Sequence, residues 1–443
     1  MAVLHLVQNA RTEVVVVGGG LAGLIAATKI ANEGRSVVLL EQGKLLGGRA
    51  ATTVDGGVHF NLGPRALYCH GHAFRLLTEL GIHFSGRIPD PGVSLGYYQG
   101  REHRLPATLT DLLLTRLLSL HEKWQLAGLF RELPQLDTAA LQHTSAHQWV
   151  TQRYGSGALA NLLFAFFRVT SYAADMEHYS AGAALDQFKM GLAGNVWYID
   201  GGWQSLVDRL REVAQRNGVE IRSAAHVTSI RSEGDGLTIR FAHGGLILAD
   251  AAVLAVSPQS VQSLLDLPRD HPLAAWLQSA RPVRAACLDV ALTRLTRPRC
   301  RFAIGIDQPY YLSVHSAAAK LAPEGVAVIH VMKYLQQSEP VAQVENELEQ
   351  LLEQVQSGWR EHVLTRRLLP SMLVAPDVPQ ASAGGLAGRP AVDMAGMPGV
   401  FVAGDWVGRR GQIADASAAS AEEAAGRALQ FTSRLTQLRS QHA

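Results

Sequence analysis

Hydrophobic positions along the chain change their period several times, and each change predicts an element. Residues 13–17 (EVVVV) form a nearly unbroken β-branched run, the pattern of a strand buried on both faces of a parallel sheet. Gly18-Gly19-Gly20-Leu21-Ala22-Gly23 follows, and then LIAATKIANEG, whose Ala and Leu content suits a helix ending at Gly34. Residues 36–40 (SVVLL) read as a second strand that stops at Glu41. Together these segments predict a β-α-β unit.

The middle of the chain is more helical. Residues 107–132, 145–154 and 158–190 carry helical periodicity with polar interruptions. A β-rich passage covers 220–230, 237–241, 246–248 and 252–256. Residues 285–292, 310–315 and 326–334 predict strands of a second sheet, and 341–359 a polar helix. The end repeats the opening grammar: a strand at 399–403, then Gly404-Asp405, then an Ala-rich helix over 415–431. A nucleotide-binding domain interrupted by a second domain, and completed by the C-terminal segment, is the expected organisation.

Composition narrows the class. A chain of 443 residues with 47% hydrophobic and 18% charged residues describes a globular protein with a large core. The net charge is +2 with no long basic run, so a nucleic-acid partner is not indicated. Cys69, Cys287 and Cys300 show no CxxC spacing, and no HExxH occurs among the 17 histidines. No metal site is expected, and His70 and His72 read as loop or helix-start residues. The opening MAVLHLVQNAR lacks the pattern of a secretory signal, and the most apolar segment, 158–167, is too short to cross a bilayer. A cytoplasmic protein is expected, with peripheral membrane contact and oligomeric state left open.

Gly18, Gly20 and Gly23 fit G-x-G-x-x-G, and each glycine has a physical task. The first permits the tight turn, the second lets a pyrophosphate approach the backbone, and the third lets the helix pack close to the sheet. Leu21 and Ala22 open the helix, whose unpaired N–H groups and partial positive charge suit phosphate. Glu41 lies 18 residues after Gly23, where a carboxylate can accept hydrogen bonds from ribose hydroxyls. The fingerprint by itself does not separate FAD from NAD. Gly155-Ser156-Gly157 has no preceding strand and reads as a turn, so a second nucleotide site for NAD(P)H is not supported.

Further motifs carry a resemblance. Gly47-Gly48-Arg49 follows Glu41 closely, Phe60-Asn61-Leu62-Gly63-Pro64-Arg65 comes next, and the chain ends with Val400-Phe401-Val402-Ala403-Gly404-Asp405-Trp406. In this order they resemble the flavin amine oxidase and phytoene desaturase superfamily. The resemblance implies an α/β fold: a Rossmann-type, glutathione-reductase-like FAD-binding domain with an inserted α+β substrate domain containing an antiparallel sheet. It implies FAD-binding parts over 1–90, 196–280 and 391–443, a mainly helical substrate part over 91–195, and a substrate sheet and helix over 281–390. It also implies roles. Arg49, after Gly48, reaches the cofactor phosphates, and Gly63, Pro64 and Arg65 run beside the flavin ring. The backbone at Val227 contacts the adenine, and Asp405 after Gly404 binds the ribityl chain. The helix starting near Ile413 and Ala414 points its N-terminus at the pyrimidine end of the flavin. Asn61 replaces the acidic residue usual in that position. No cysteine lies near the C-terminal flavin segment, so noncovalent FAD is expected.

Pocket chemistry is less sharply marked. His59, Arg65, Tyr68 and Lys333 are the candidate catalytic residues. Lys333 enters by the superfamily's use of a strand lysine that holds a water at N5, against the alternative of an exposed strand lysine. His59 can exchange a proton near neutral pH. Tyr311 and His315 share one strand face, either towards the substrate or packed on the helical layer. His330 and Lys333 are three apart, so a strand sends them to opposite faces. Trp406 fits either a flavin neighbour or a core aromatic. The leading reading is an FAD-dependent oxidoreductase passing hydride from a small apolar or amine-containing molecule to flavin N5, with oxygen or another electron acceptor. A redox-neutral flavin-dependent double-bond isomerase and a flavin-free binding protein, similar to the Rab GDP-dissociation inhibitors, are the alternatives.

Overall fold

The computed structural model describes residues 10–90, 92–106, 108–234 and 236–442. The reading of the opening segment falls mostly on residues 1–9, and the expected helix start at 107 is also outside the described residues.

The run of valines leaves no polar face, so Ala10–Val17 needs cover on both sides, and Val14, Val15 and Val16 are fully buried. This strand pairs in parallel with Val37–Leu40 on one edge and Leu246–Leu254 on the other. Glu220–Arg222 continues the sheet beyond Val37–Leu40. The far edge of Leu246–Leu254 is divided. Its first half pairs antiparallel with Gly236–Phe241, which leads on to Val227–Glu233, and its second half pairs parallel with Val400–Val402. Residues 246–248 and 252–256, expected as two strands, are thus one strand as far as Leu254. Leu21–Asn32, Gln204–Arg216 and Ile413–His442 pack around one core with this sheet.

The second sheet runs Val363–Ala375, Val283–Leu292, Ala327–Leu335, Tyr310–Val314, Phe302–Gly305, Ser94–Tyr98, Arg101–Arg104. All neighbours are antiparallel except Phe302–Gly305 with Ser94–Tyr98. A helical layer that includes Ala146–Tyr154, Ala158–Ser171 and Ala181–Gly194 covers one face, and Val344–Val355 packs on the other. The fold is the expected α/β architecture with a second, largely antiparallel sheet.

Three differences have local causes. The helix expected over 158–190 is two helices, because Tyr172 takes a left-handed conformation at φ 64° and Ser180 caps the next start. The helix expected to 132 is also two, since Ser119 and Glu122 form a capping box that opens Leu120–Glu132. The longest strand of the second sheet, Val363–Ala375, was not expected. It holds Pro370, which an edge strand tolerates, and the pairing register slips beside it, between Leu369 and Met372.

One buried polar group ties the second sheet to the hairpin of Thr52–Asp55 and Val58–Asn61. Asp289 is fully buried and accepts from His330 Nδ1 at 2.5 Å and from Arg367. Arg367 also donates to the carbonyl of Asn61 at 2.5 Å and to Thr53 Oγ1 at 2.6 Å. The neighbouring charges hold the Asp289 carboxyl below the usual range although burial pushes it up. Arg367→Leu leaves this carboxylate short of a charged partner, and removing one member of such a pair costs about 3 kcal/mol or more. Urea denaturation should show the midpoint falling with an unchanged slope. A loss below about 1 kcal/mol would place the anchoring elsewhere.

Candidate functional site

The glycine turn is built as the spacing requires. Gly18 has φ +106°, and a Cβ on Gly23 would sit 1.8 Å from the Gly18 carbonyl oxygen. Gly20 differs: a Cβ there would meet nothing nearer than the Gly47 carbonyl at 3.8 Å, so this glycine borders open space. Gly20 caps the helix without a side-chain bond and forms a parallel β-bridge with Gly47. Glu41 accepts from the N–H groups of Gly19 and Gly43, each at 2.7 Å. The segment leading into Val227 lies against the same tip, with Ala225 N–H donating to the Glu41 carbonyl at 2.8 Å.

The two ends of the chain meet through an ion pair. Arg49, on a short turn that starts at Gly48, grips both oxygens of Asp405 at 2.6 Å and donates to the carbonyl of Val374 at 2.7 Å. Burial works against the Arg49 charge, but the Asp405 carboxylate more than offsets it. Gly404 has φ +152° and exchanges hydrogen bonds of 2.9 Å with Ser420, which fixes the turn to the C-terminal helix. Trp406 is core: it packs on Trp276 and donates to the carbonyl of Val256.

A cavity of about 670 Å³ lies between this edge and the second sheet. One end is lined by Leu62, Pro64, Arg65, Ile413, Ala414 and Asp415. Phe130, Phe166, Val169 and Phe188 line the helical side, and Tyr311, Met332, Tyr334 and Met372 the sheet side. Gly63 borders the same wall, where a Cβ would come within 2.4 Å of Met372. Asp90, Thr108, Leu192 and Asn195 are the exposed residues of the lining, where the cavity meets solvent.

Arg65 is the unusual group on this surface. Its guanidinium has no hydrogen-bond or carboxylate partner among the described residues, its Nε is buried and unsatisfied, and it rests 5.8 Å over the Trp203 ring. Burial pulls it down to about 10, and Arg49 nearby adds to the fall, so it stays charged at neutral pH. Tyr68 also lines the cavity, but its hydroxyl donates to the Thr170 carbonyl at 2.8 Å and burial raises it. Arg65 and Tyr68 therefore both reach the cavity.

The other two catalytic candidates do not. Met332 and Tyr334 line the cavity, so strand alternation sends Lys333 to the opposite face, where Glu347 and Glu339 hold it at 2.5 and 2.8 Å. His59 is paired across its hairpin with Val54, which is 61% exposed, and the cavity wall does not include it. Of the two residues expected to share a strand face, Tyr311 reaches the cavity. His315 is buried, stacked on Tyr198 with ring centres 3.9 Å apart.

A family model described as flavin-containing amine oxidoreductase matches residues 21–429. The chain belongs to that family. Membership brings the flavin and the oxidoreductase class with it, and does not favour the isomerase or flavin-free alternatives. Among curated proteins, the 4,4'-diaponeurosporene oxygenase of Staphylococcus aureus is 25% identical over 273 residues, which is 54% of this chain and 54% of that protein. The match thus spans about half the length of that relative. Among solved structures, an oxidoreductase from Methanosarcina mazei superposes with TM-score 0.72 at 17% identity, covering 93% of this chain and 99% of that one. Cyclohexylamine oxidase from Brevibacterium oxydans gives 0.68 at 16%, covering 96% and 99%. At such identities these structures speak for the fold.

The residues present suit the family's flavin. The open Gly20 cradle fits a phosphate, and the unpartnered Arg65 is an orphaned cation facing the cavity. Phe166 and Tyr311 of the wall lie in segments that the sequence marked, whereas Phe130, Phe188 and Tyr334, the buried carboxyl of Asp415 and the Asp289–His330 pair were not foreseen. The alternation Met332-Lys333-Tyr334 carried the signal for the wall, since a lysine seldom shares a buried face with two large apolar neighbours. Cys287 joins Asp289 and His330 in one fully buried group, but Arg367 already supplies the positive charge there. Long-range pairing of this kind leaves no local pattern.

Asp415 sits in the first turn of the C-terminal helix and accepts from Ala73 N–H at 2.8 Å, while its second oxygen is buried and unpaired. Burial raises its pKa to about 6. The folded protein therefore holds this proton at pH values where the unfolded chain releases it, and stability falls as pH rises from about 4 to 6. Asp415→Asn keeps the acceptor for Ala73 and removes the penalty. The variant should gain on the order of 2 kcal/mol over wild type at pH 7.5, and little at pH 4, in denaturant titrations. An equal difference at both pH values would assign the carboxyl a normal pKa.

Proposed function

We propose that the chain is an FAD-dependent oxidoreductase that oxidises a largely apolar small molecule, with FAD bound noncovalently. The observation that carries the substrate reading is the cavity wall: aromatic side chains on both sides and methionines on the sheet side, with the half-buried, unpartnered Arg65 guanidinium among them. An ammonium substrate is disfavoured there, because Arg65 repels a second buried cation. A hydrocarbon bearing a neutral or anionic oxygen group suits it. The half-length similarity to an oxygenase of 4,4'-diaponeurosporene supports the same direction.

In this reading the glycine turn and the helix from Leu21 hold the diphosphate, Glu41 a ribose, and the backbone near Val227 the adenine. Arg49 and Asp405, already joined, take the phosphate and ribityl parts. Ile413 and Ala414 present the positive end of a helix, and Gly63 and Pro64 form the wall beside the ring. Bound flavin would supply the electron sink for oxidation of a substrate C–H, with oxygen or another external molecule as the final electron acceptor. Arg65 supplies a fixed positive charge where negative charge accumulates, with no reorganisation needed in a desolvated pocket. Tyr172 and Tyr68, tied to the carbonyls of Pro64 and Thr170, keep that wall in place. The thiols, free in all three cases and buried in two, fit a noncovalent cofactor and a reducing, cytoplasmic setting.

The purified protein should be yellow and release free FAD on heating. Under anaerobic conditions an apolar oxygen-bearing substrate should bleach the flavin, whereas a primary amine of similar size should not. Arg65→Met should retain FAD and slow bleaching by about 10- to 100-fold, the worth of one charge-assisted contact. Rapid bleaching by amines, or an unaffected Arg65→Met enzyme, would overturn the substrate reading. A colourless protein that takes up no FAD would overturn the cofactor reading.

A further inference from the structure

Among the described residues, large apolar side chains left in solvent concentrate on one short stretch. Leu113 and Leu114 are 75% and 65% exposed at the end of helix Leu109–Leu114, and Leu120 and Trp124 are each 78% exposed at the start of Leu120–Glu132. Leu120 and Trp124 are four apart and share one helix face. The stretch is not loosely packed. Leu112, Leu117, Leu118 and Leu126 are buried, and Thr108 and Ser119 cap the two helices. Core-facing and outward leucines alternate on a well-anchored scaffold, so the outward set is a surface in its own right.

This surface adjoins the cavity opening. Thr108 and Leu112 line the cavity, and Leu192, which lines it too, is 52% exposed. The patch thus begins one residue beyond a cavity-lining leucine, at Leu113 after Leu112. Charges of both signs border it, with Asp90 exposed beside the cavity and Arg116 and Lys123 beside the patch. Asp111 is neutralised by Arg104 at 2.5 Å, and Glu122 is turned onto the N–H groups of Ser119 and Leu159. Arg116 is exposed, and Lys123 donates to the Leu113 carbonyl at 2.8 Å beside the patch.

We propose that this face docks on an anionic lipid bilayer, with Leu113, Leu114, Leu120 and Trp124 entering the interface and Arg116 and Lys123 at the headgroups. The cavity opening then faces the membrane, and an apolar substrate passes from the lipid to the site without crossing water. This last point rests on the substrate reading above; the docking itself does not. Four side chains offer on the order of several hundred Å², well short of the roughly 1,200 Å² or more that a stable protein interface buries. They suffice for an interfacial anchor, where a few apolar insertions and basic residues act together. Trp124 has the amphipathic ring that favours the headgroup level. No helix of the described residues is long and apolar enough to cross a membrane.

The test is flotation of the FAD-loaded protein with vesicles of phosphatidylcholine, with and without phosphatidylglycerol. The protein should float with the anionic vesicles, and brominated lipid should quench part of its tryptophan fluorescence. Leu113→Gln/Leu120→Gln/Trp124→Gln should keep its flavin spectrum and melting temperature, yet partition at least about tenfold more weakly. Trp124→Phe should still float but lose most of the quenching. Wild type that stays with the soluble fraction, or a triple variant that floats equally well, overturns the proposal. So does a wild-type dimer in light scattering that the triple variant converts to monomer, which would give the face to a second copy. Flotation without bleaching by any apolar substrate would sink the substrate reading and leave the docking standing; the reverse result would do the opposite.

Discussion

The strand Leu246–Leu254 lies inside the protein with both edges needing partners, and buried backbone N–H and C=O groups tolerate no vacancy. The N-terminal strand Ala10–Val17 supplies one edge. Gly236–Phe241 and Val400–Val402 divide the other. Because Ala10–Val17, Val37–Leu40 and Val400–Val402 all run parallel to it, their C-terminal ends open on one side of the sheet. The glycine turn, Glu41 and Gly404-Asp405 emerge there together. Satisfying one strand's hydrogen bonds thus gathers the groups proposed to bind the cofactor from distant parts of the chain, and the Arg49–Asp405 pair closes the join.

The second sheet depends on that assembly in turn. Its edge strand carries Arg367, which reaches Asp289 on its own sheet and the Asn61 carbonyl on the segment beside the cavity. The contact holds the aromatic wall at a set distance from Leu62–Arg65. Strand alternation then divides the labour along Ala327–Leu335. Met332 and Tyr334 face the cavity, Lys333 is spent on Glu339 and Glu347 outside it, and His330 anchors Asp289 at the far end.

Most buried charge in the molecule is paired, which makes the exceptions informative. Arg65 is half-buried and unpartnered on the cavity wall, and Asp415, which lines the same cavity, holds one unpaired oxygen. Neither arrangement stabilises the fold, and local rules are broken in this way where a site must receive a ligand. The patch of Leu113, Leu120 and Trp124 near the opening extends the same logic to the surface, since it leaves apolar area in water that the fold had no need to expose.

The sequence by itself determined the nucleotide-binding half of this protein. A valine run, a glycine spacing and an acidic strand end are local, and their geometry follows from sterics and backbone hydrogen bonding within about thirty residues. The position of Gly404-Asp405 was legible for the same reason, as a short strand followed by an Ala-rich helix. What lines the cavity was decided only by tertiary structure. Lys333 and His59 have suitable chemistry, but the face on which a strand residue lands depends on which partner strand covers it. Val363–Ala375 escaped notice because Pro370 breaks the pattern of a central strand while being harmless at an edge, and edge or centre is a property of the sheet. Asp415, Arg65 and the Asp289–Arg367 pair acquire their character from burial and from neighbours tens to hundreds of residues away, and no local pattern records those.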